Sequence, residues 1–387
     1  MSLRTSSVTA PGTGNPAEWL ERPSTLVLPG KSVALVHEWY GQSGGAEKVF
    51  LHIGQLLPHA ERFVLWTEEG ATADPGFRQS WLARTPLRAS KALALPFMPV
   101  VWRTLTRSTF NVVISSSHAF AHTVRLGSAD GTRYLSYVHS PARYVWSPNL
   151  DGRGAGPMLA GPRRVLQAAD VRLSRHVHSY AANSREVRDR IRRFWGRDAE
   201  VIHPPVAVDF YATPPDSVRR QSRDYLLGVG RWIRYKNFDL MIEIAAAARM
   251  PLVIAGAGPE EAALRRAAAK VDVPVTFEVR PDDERLRQLY WGARALLFPT
   301  HEDFGIIPVE AQSCGTPVLG FARGGLLETV VDGETGFLIQ STRARDFAPL
   351  VARVDELHEE RIRAQASAFS PQVFAAKLTT WVSDATA

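Results

Sequence analysis

Tyr225-Leu-Leu-Gly-Val-Gly-Arg-Trp-Ile-Arg-Tyr-Lys-Asn237 is an apolar run of strand length that ends in glycines and then meets charge. Short apolar runs bounded by glycine fit strands buried on both faces. Phe238 to Ala248 follows at helical spacing, and Pro251-Leu-Val-Ile-Ala-Gly256 is strand-like again. Gly258-Pro259 precedes a helical stretch from Glu260 to Lys270. Val275-Thr-Phe277 then reads as a strand, Asp283 to Trp291 as a helix and Ala295-Leu-Leu-Phe298 as a strand. Such alternation predicts an α/β domain, with a parallel sheet covered by helices on both faces.

The front of the chain carries the same pattern. Lys31-Ser-Val-Ala-Leu-Val-His37 runs into the glycine cluster Gly41-Gln-Ser-Gly-Gly45. Ala46, Val49, Phe50, Ile53, Leu56 and Leu57 then recur at spacings of three and four. Phe63-Val-Leu-Trp66, Val112-Val-Ile114 and Tyr134-Leu-Ser-Tyr-Val138 are further apolar runs, and Val165 to Phe194 is arginine-rich with a helical period. His203-Pro-Pro-Val-Ala-Val-Asp209 stops that period and Pro214-Pro215 follows; paired prolines forbid helix continuation. The expected organisation is a disordered lead-in over 1–30, a first domain over 31–205, a second over 206–366 and a C-terminal helix over 367–387. In that helix Phe369, Val373, Phe374, Leu378 and Trp381 share a face. Two Rossmann-like domains with parallel sheets facing a central cleft should bind ligands at the C-terminal ends of their strands.

Composition agrees. At 387 residues and 45% hydrophobic, the chain can bury two cores, and wholesale disorder is excluded. A single cysteine, Cys314, excludes an internal disulfide and a cysteine-cluster zinc site. No run approaches the roughly 18 apolar residues of a membrane span. The most apolar stretch, Ala92 to Trp102, contains Pro96 and Pro99, and the first residues lack the apolar core of a signal peptide.

Charge is uneven. Net charge is +7, but residues 1–209 hold 25 Lys and Arg against 16 Asp and Glu, whereas the remainder holds 21 against 23. Positions 75–129 contain Arg78, Arg84, Arg88, Lys91, Arg103, Arg107 and Arg125 and no acid. Trp81, Leu82, Leu87, Leu93, Leu95, Phe97, Met98 and Trp102 are interleaved with them. Residues 78–107 therefore fit either a surface helix with an ordinary core-facing side or a segment that docks on an anionic membrane. A nucleic-acid reading would need a helix-turn-helix, zinc-finger or RRM signature, and none is present.

Two clusters carry chemistry. In His301-Glu-Asp-Phe-Gly-Ile-Ile-Pro-Val-Glu-Ala-Gln-Ser-Cys-Gly-Thr-Pro-Val318, Pro308 fits a first helical turn and Gly315 the end of the helix. Phe304, Gly305 and Ile306 then lie at the helix start, where free N–H groups and the dipole favour an anion. Glu302 and Glu310 can reach different hydroxyls of one extended ligand; alternatively they are a cap and a surface charge. Arg231 and Lys236 follow a strand and a glycine turn and could grip a diphosphate, although loop cations are often merely solvated.

Taken in order, Gly230-Arg231…Lys236-Asn237, Gly256-Ala-Gly-Pro259, Glu302-Asp-Phe-Gly-Ile-Ile-Pro-Val-Glu310, Gly315-Thr-Pro-Val318 and Gly324-Gly325 resemble the retaining glycosyltransferases of family 4. The resemblance covers roughly 31–365. Tyr137-Val-His-Ser-Pro-Ala-Arg-Tyr-Val-Trp146, Ala182-Asn-Ser-Arg185 and Val201-Ile-His-Pro-Pro205 are similar to the branch of mannosyltransferases that build bacterial polysaccharides. It implies the GT-B fold, with an acceptor domain followed by a nucleotide-sugar domain and a C-terminal helix packed back on the first domain. It also implies roles. Arg231 and Lys236 would hold the donor diphosphate. Glu302, with backbone N–H groups at Phe304, Gly305 and Ile306, would bind the sugar, and Glu310 the ribose. Gly44 and Gly45 would let backbone approach phosphate or acceptor, and His139 would touch the sugar. The loop Glu278-Val-Arg280 would border the base. Many members of the family have Glu-Gly-Phe-Gly where this chain has Glu302-Asp-Phe-Gly.

The chain has no Asp-x-Asp to hold a metal, no Walker loop and no Gly-x-Ser-x-Gly elbow. The expectation is a metal-independent, front-face transfer needing no cofactor beyond the substrate nucleotide sugar, with GDP-mannose the preferred donor and a lipid-linked or saccharide acceptor. UDP-glucose or another donor with a soluble acceptor is the same chemistry. A basic nucleic-acid-binding protein is the reading from another class. A cytoplasmic location, peripheral to the inner face of the plasma membrane, goes with the leading one. His37, His118, His122, His176, His178, His203 and His301 show no metal-ligand spacing and read as structural or surface residues; His118 is the one placed to line the cleft.

Overall fold

Among the described residues two sheets form, and every strand pairing in both is parallel. The computed structural model describes residues 25–41, 44–68, 76–127, 131–148, 160–215 and 223–387. The first sheet contains β1 (Val33–Tyr40), β2 (Glu61–Thr67), β3 (Phe77–Gln79), β4 (Val112–Ser117), β5 (Arg133–Val138), β6 (Ser179–Ala182) and β7 (Glu200–Val201). Their spatial order is β3-β2-β1-β4-β5-β6-β7. The second contains β8 (Tyr225–Arg231), β9 (Leu252–Ala257), β10 (Val275–Val279), β11 (Ala293–Phe298), β12 (Val318–Phe321) and β13 (Gly336–Ile339), in the order β10-β9-β8-β11-β12-β13.

Central parallel strands are covered on both faces, so they carry no polar alternation. β1 is buried from Val33 to Trp39, His37 and Glu38 included. One face of its sheet packs Leu35, Ile114 and Leu135 against Phe50 and Ile53 of the Gly45–Leu56 helix. The other packs Val36, Phe63 and Val113 against Leu82, Met98, Val101 and Trp102. The second sheet is covered in the same way.

The chain crosses between domains twice. Ile202 to Val206 leads out, and Phe369 leads back into the Pro371–Thr386 helix. Val206 N–H donates to the Phe369 carbonyl at 2.9 Å, so the two crossings lie side by side. Ser370 caps the helix and Pro371 opens it, both at favoured positions. Phe374, Leu378, Trp381 and Val382 close the first domain's core, and the Trp381 indole donates to Ser179 Oγ at 2.8 Å. Phe369 lies outside that face because the helix starts two residues later. It joins Val206, Val208, Phe304 and Val309 beneath the cleft.

Several elements differ from the sequence reading. Of the lead-in, residues 1–24 lie outside the described residues. Within 25–30, Leu26 is buried and donates its N–H to Leu56 at 2.8 Å, so the first core begins ahead of Lys31. The arginine-rich stretch is two helices, Ala160–Ser174 and Arg185–Trp195, parted by β6, whose Ser-Tyr-Ala-Ala lacks branched residues. Residues 81–101 form a series of short helical turns rather than one helix, with Pro86, Pro96 and Pro99 punctuating it.

Leu378 is fully buried at the joint between helix and sheet. Leu378→Ala should destabilise the first domain by about 3 kcal/mol, the range for a large-to-small change that leaves a cavity. Urea unfolding followed by tryptophan fluorescence measures this, and an unchanged midpoint would refute the packing described.

Candidate active site

Each sheet reverses its strand order once, between β1 and β4 and between β8 and β11. Loops at such reversals leave an opening at the carboxyl ends of the strands. Here the two openings share one cavity of about 1010 Å³. His118 and His139 line it from the first domain, and Arg231 and Glu302 from the second.

On the second-domain wall, Arg231 ends β8 and is exposed to the cavity, while Lys236 is buried in the turn that follows. The Lys236 ammonium pairs with the Glu302 carboxylate and lies 5.4 Å from the Phe298 ring centre. Gly305 takes φ +94°, a left-handed value that glycine adopts without strain, and starts the Ile306–Ser313 helix. No side chain caps this end and no acid occupies its first turn. Its N–H groups and positive dipole end therefore sit on the cavity wall, which Gly305, Ile306 and Ile307 line. One turn further on, Glu310 is buried and accepts from the Tyr290 hydroxyl at 2.9 Å. Burial raises its carboxyl above the usual range, while Lys48 and Tyr290 pull it back.

On the first-domain wall, Gly45, Ala46 and Lys48 of the Gly45–Leu56 helix face the cavity. A Cβ on Gly45 would lie 3.0 Å from Ile306 Cδ1, so the glycine lets the two domains approach here. Gly44 caps that helix. His139 follows β5, is buried, and has a proton affinity far below normal because of burial, with His37 and His118 adding to it. Its Nε2 lies 2.8 Å from Ser116 Oγ, which leaves Nδ1 for a ligand.

The predicted residues thus come together. Glu302, Arg231, Lys236, His139, Gly45, Phe304, Gly305, Ile306 and Glu310 all line the cavity. Gly44 is the flanking residue and does not itself line it. Phe304 is buried, with its ring against His203 and Phe369, so only its backbone is suited to a ligand. Glu278 of the proposed base loop pairs with Arg285 at 2.5 Å, and none of residues 278–280 lines this cavity.

Sequence reasoning gave Asp303 no contact. It is buried and sits between two arginines of the other domain. Arg143 reaches one carboxylate oxygen at 2.7 and 3.1 Å, and Arg190 the other at 2.6 Å. Burial alone would raise its carboxyl, but Arg143 and Arg190 overcome that and hold it below the ordinary range. Further bonds join the domains: Glu328 takes the Arg185 N–H at 2.8 Å and lies 2.9 Å from His203, while Glu186 lies 3.2 Å from His301. Arg185, Glu186 and Arg190 stand on one turn-spaced stretch of a helix, but their partners lie more than a hundred residues away.

Glu38 was also missed. It is fully buried, and its Oε1 accepts the N–H groups of Ala119 at 2.8 Å and Ala121 at 2.9 Å. His37, Glu38 and His118 place donor atoms within 4.8 Å of one another, a metal-like grouping among the described residues. However, Glu38 is already engaged by N–H donors, and His37 Nδ1 bonds the Ser116 carbonyl at 2.9 Å. Glu38 and His37 are thus taken up by contacts within the protein.

Comparison with known proteins agrees with this architecture. Residues 43–210 match the family described as Glycosyltransferase Family 4, and residues 211–369 the family Glycosyl transferases group 1. The chain is therefore built from these two glycosyltransferase domains, joined as a GT-B fold. Among curated relatives, it is 31% identical to a D-inositol 3-phosphate glycosyltransferase of Nocardiopsis dassonvillei, over 62% of this chain and 61% of that protein. It is 34% identical to the same-named protein of Thermomonospora curvata, over the same shares. The chain thus spans about three fifths of the length of these relatives. Among solved structures, Anabaena Alr3699/HepE in complex with UDP superposes with a TM-score of 0.66 at 18% identity, covering 91% of this chain and all of that one. The lipopolysaccharide outer core galactosyltransferase WaaB gives 0.64 at 15% identity, covering 91% and 99%.

Asp303→Ala should cost about 3 kcal/mol and loosen the domain pair, because it removes the anion shared by half-buried Arg143 and buried Arg190 and leaves Arg190 with Glu186 alone as its anion. Denaturant unfolding and small-angle scattering would show it. Since the folded carboxyl is depressed, its contribution is present above the unfolded value near pH 4. It is lost as pH falls through the lower, folded value. An Asp303→Ala variant as stable as the wild type at pH 7 would contradict this.

Proposed function

We propose that this chain is a retaining, metal-independent hexosyltransferase that moves a sugar from a nucleotide donor to a lipid-linked or polysaccharide-precursor acceptor. One observation carries the reading: Arg231, Lys236, an uncapped helix start, Glu302, Glu310 and His139 converge on a single interdomain cavity. In this reading Arg231, Lys236 and the N–H groups from Phe304 to Ile306 take the diphosphate. Glu302 takes sugar hydroxyls, Glu310 the ribose, and His139 Nδ1 the sugar. As the bond from the anomeric carbon to phosphate oxygen breaks, charge grows on the diphosphate, where fixed cations and the helix dipole are worth most. The acceptor hydroxyl attacks from the same face, and its proton passes to the departing phosphate oxygen. Lys236 can follow that charge by exchanging Glu302 for phosphate.

GDP-mannose is the preferred donor, on the likeness of Tyr137 to Trp146 to the mannosyltransferase branch; UDP-glucose would use the same residues. The relatives' name makes D-inositol 3-phosphate an acceptor to include in any panel. Peripheral membrane attachment from the cytoplasmic side belongs to the same proposal. Supporting it, Trp81, Leu93, Phe97 and Val100 are exposed beside Arg84, Arg103 and Arg107, and Leu93, Leu95 and Pro96 also border the cavity. No helix of the described residues is long and apolar enough to cross a membrane.

Nucleotide release from a donor panel of GDP-mannose, UDP-glucose and UDP-N-acetylglucosamine tests the reaction. Lys236→Ala and Glu302→Ala should each lower turnover about 10²-fold, the size of losing one fixed electrostatic partner, and EDTA should leave it unchanged. Variants with full turnover, or activity that needs added manganese, would overturn the site. For the membrane, Phe97→Ser with Leu93→Ser should reduce co-sedimentation with phosphatidylglycerol vesicles and leave zwitterionic vesicles unbound throughout. Equal sedimentation of variant and wild type would remove that segment from the account.

A further inference from the structure

We propose that His118, oriented by Glu38, is the hydrogen-bond acceptor for a non-reacting hydroxyl of a polyhydroxylated acceptor substrate. The inference rests on the glycosyl-transfer reading and assigns the first-domain side of that site.

The geometry is specific. His118 follows β4 at the strand-order reversal and lines the cavity. Its backbone N–H lies 3.1 and 3.2 Å from the two Glu38 oxygens, and its Nδ1 lies 3.2 Å from Glu38 Oε2. The contact is close without the alignment of a hydrogen bond, and Nδ1 has no other partner; a carboxylate at that distance still disfavours a lone pair on Nδ1, so the proton sits there and Nε2 keeps its lone pair. Nδ1 is sealed from solvent while the side chain remains 21% accessible, so the open part of the ring is away from Glu38. The ring is further fixed edge-on to Trp39 at 4.6 Å and beside His37 at 5.2 Å.

Chemistry narrows the role. Burial, with Lys91 and Arg143 adding to it, lowers His118 to about 3, so the ring stays neutral at working pH and is a poor general base. In a front-face transfer the reacting hydroxyl gives its one proton to the leaving phosphate, so it has none to offer Nε2. A neighbouring hydroxyl does. Lys48, Lys91 and Arg143 on the same wall can only donate, which makes an accepting nitrogen there the complement that a sugar or polyol needs. Glu38 touches no substrate in this scheme; it positions the ring.

The test uses the full chain with a donor from the panel above and two acceptors, octyl α-D-mannopyranoside and D-inositol 3-phosphate. His118→Ala should keep the donor Kd within about twofold, but lose about tenfold in kcat/KM for acceptor through KM, the scale of one hydrogen bond. His118→Gln, whose amide oxygen can accept, should recover part of the loss. In Glu38→Gln, long-range ¹H–¹⁵N spectra should show the His118 proton no longer confined to Nδ1, with acceptor KM raised. Unchanged acceptor kinetics in His118→Ala overturn the proposal, as does a donor Kd that weakens in the same proportion. A wild type that neither binds nor turns over any nucleotide sugar fails the glycosyl-transfer reading itself, a different result from either.

Discussion

A carboxylate removed from water costs several kcal/mol unless it is paired and hydrogen-bonded. Asp303 meets that condition only when the domains are together, because both of its guanidinium partners, Arg143 and Arg190, belong to the other domain. Its neighbour Glu302 faces the cavity. Fixing Asp303 therefore fixes the register between the donor-side helix start and the first-domain wall. The approach of Gly45 to Ile306 is a consequence of the same register. Whatever occupies the cavity meets groups from two sheets that this ion triad, with the Glu328 and Glu186 contacts, holds in alignment.

Within the cavity the two walls differ in character. The second-domain wall offers positive charge, Arg231, Lys236 and a helix dipole, with Glu302 and Glu310 spaced along it. The first-domain wall sets two imidazoles whose proton affinity burial lowers, His139 beside Ser116 and His118 beside Glu38, among the cations Lys48, Lys91 and Arg143. In the proposed reading, the helix start and the cations meet the donor's diphosphate, while carboxylates and neutral imidazoles meet hydroxyls.

Features that depend on local sequence were legible. β8 and its glycine turn, and the Ile306–Ser313 helix with its glycine start, are written in adjacent residues and appear where spacing put them. Spacing put Arg231, Lys236, Glu302 and Glu310 on strand ends and helix starts, but their roles, and those of His139, Gly44 and Gly45, came from the family resemblance. Asp303 and Glu38 were not legible, because their meaning lies in partners 160 and 81 positions away. β6 escaped because four small or aromatic residues between two amphipathic helices give no period of their own. Residues 81–101 were ambiguous because prolines cut the helical period into turns, so that Leu82, Met98 and Trp102 point inward while Trp81, Leu93 and Phe97 stay outside.

The central claim is that a diphosphate is held between the domains by side-chain cations and a helix start. A crystal structure of the full chain with a bound nucleoside diphosphate tests it most directly. The account predicts phosphate oxygens within hydrogen-bond distance of Arg231, Lys236 and the N–H groups from Phe304 to Ile306, with the Lys236–Glu302 pair opened. A nucleotide bound outside this cavity, or its phosphates held by a metal ion with Arg231 and Lys236 turned away, would contradict it.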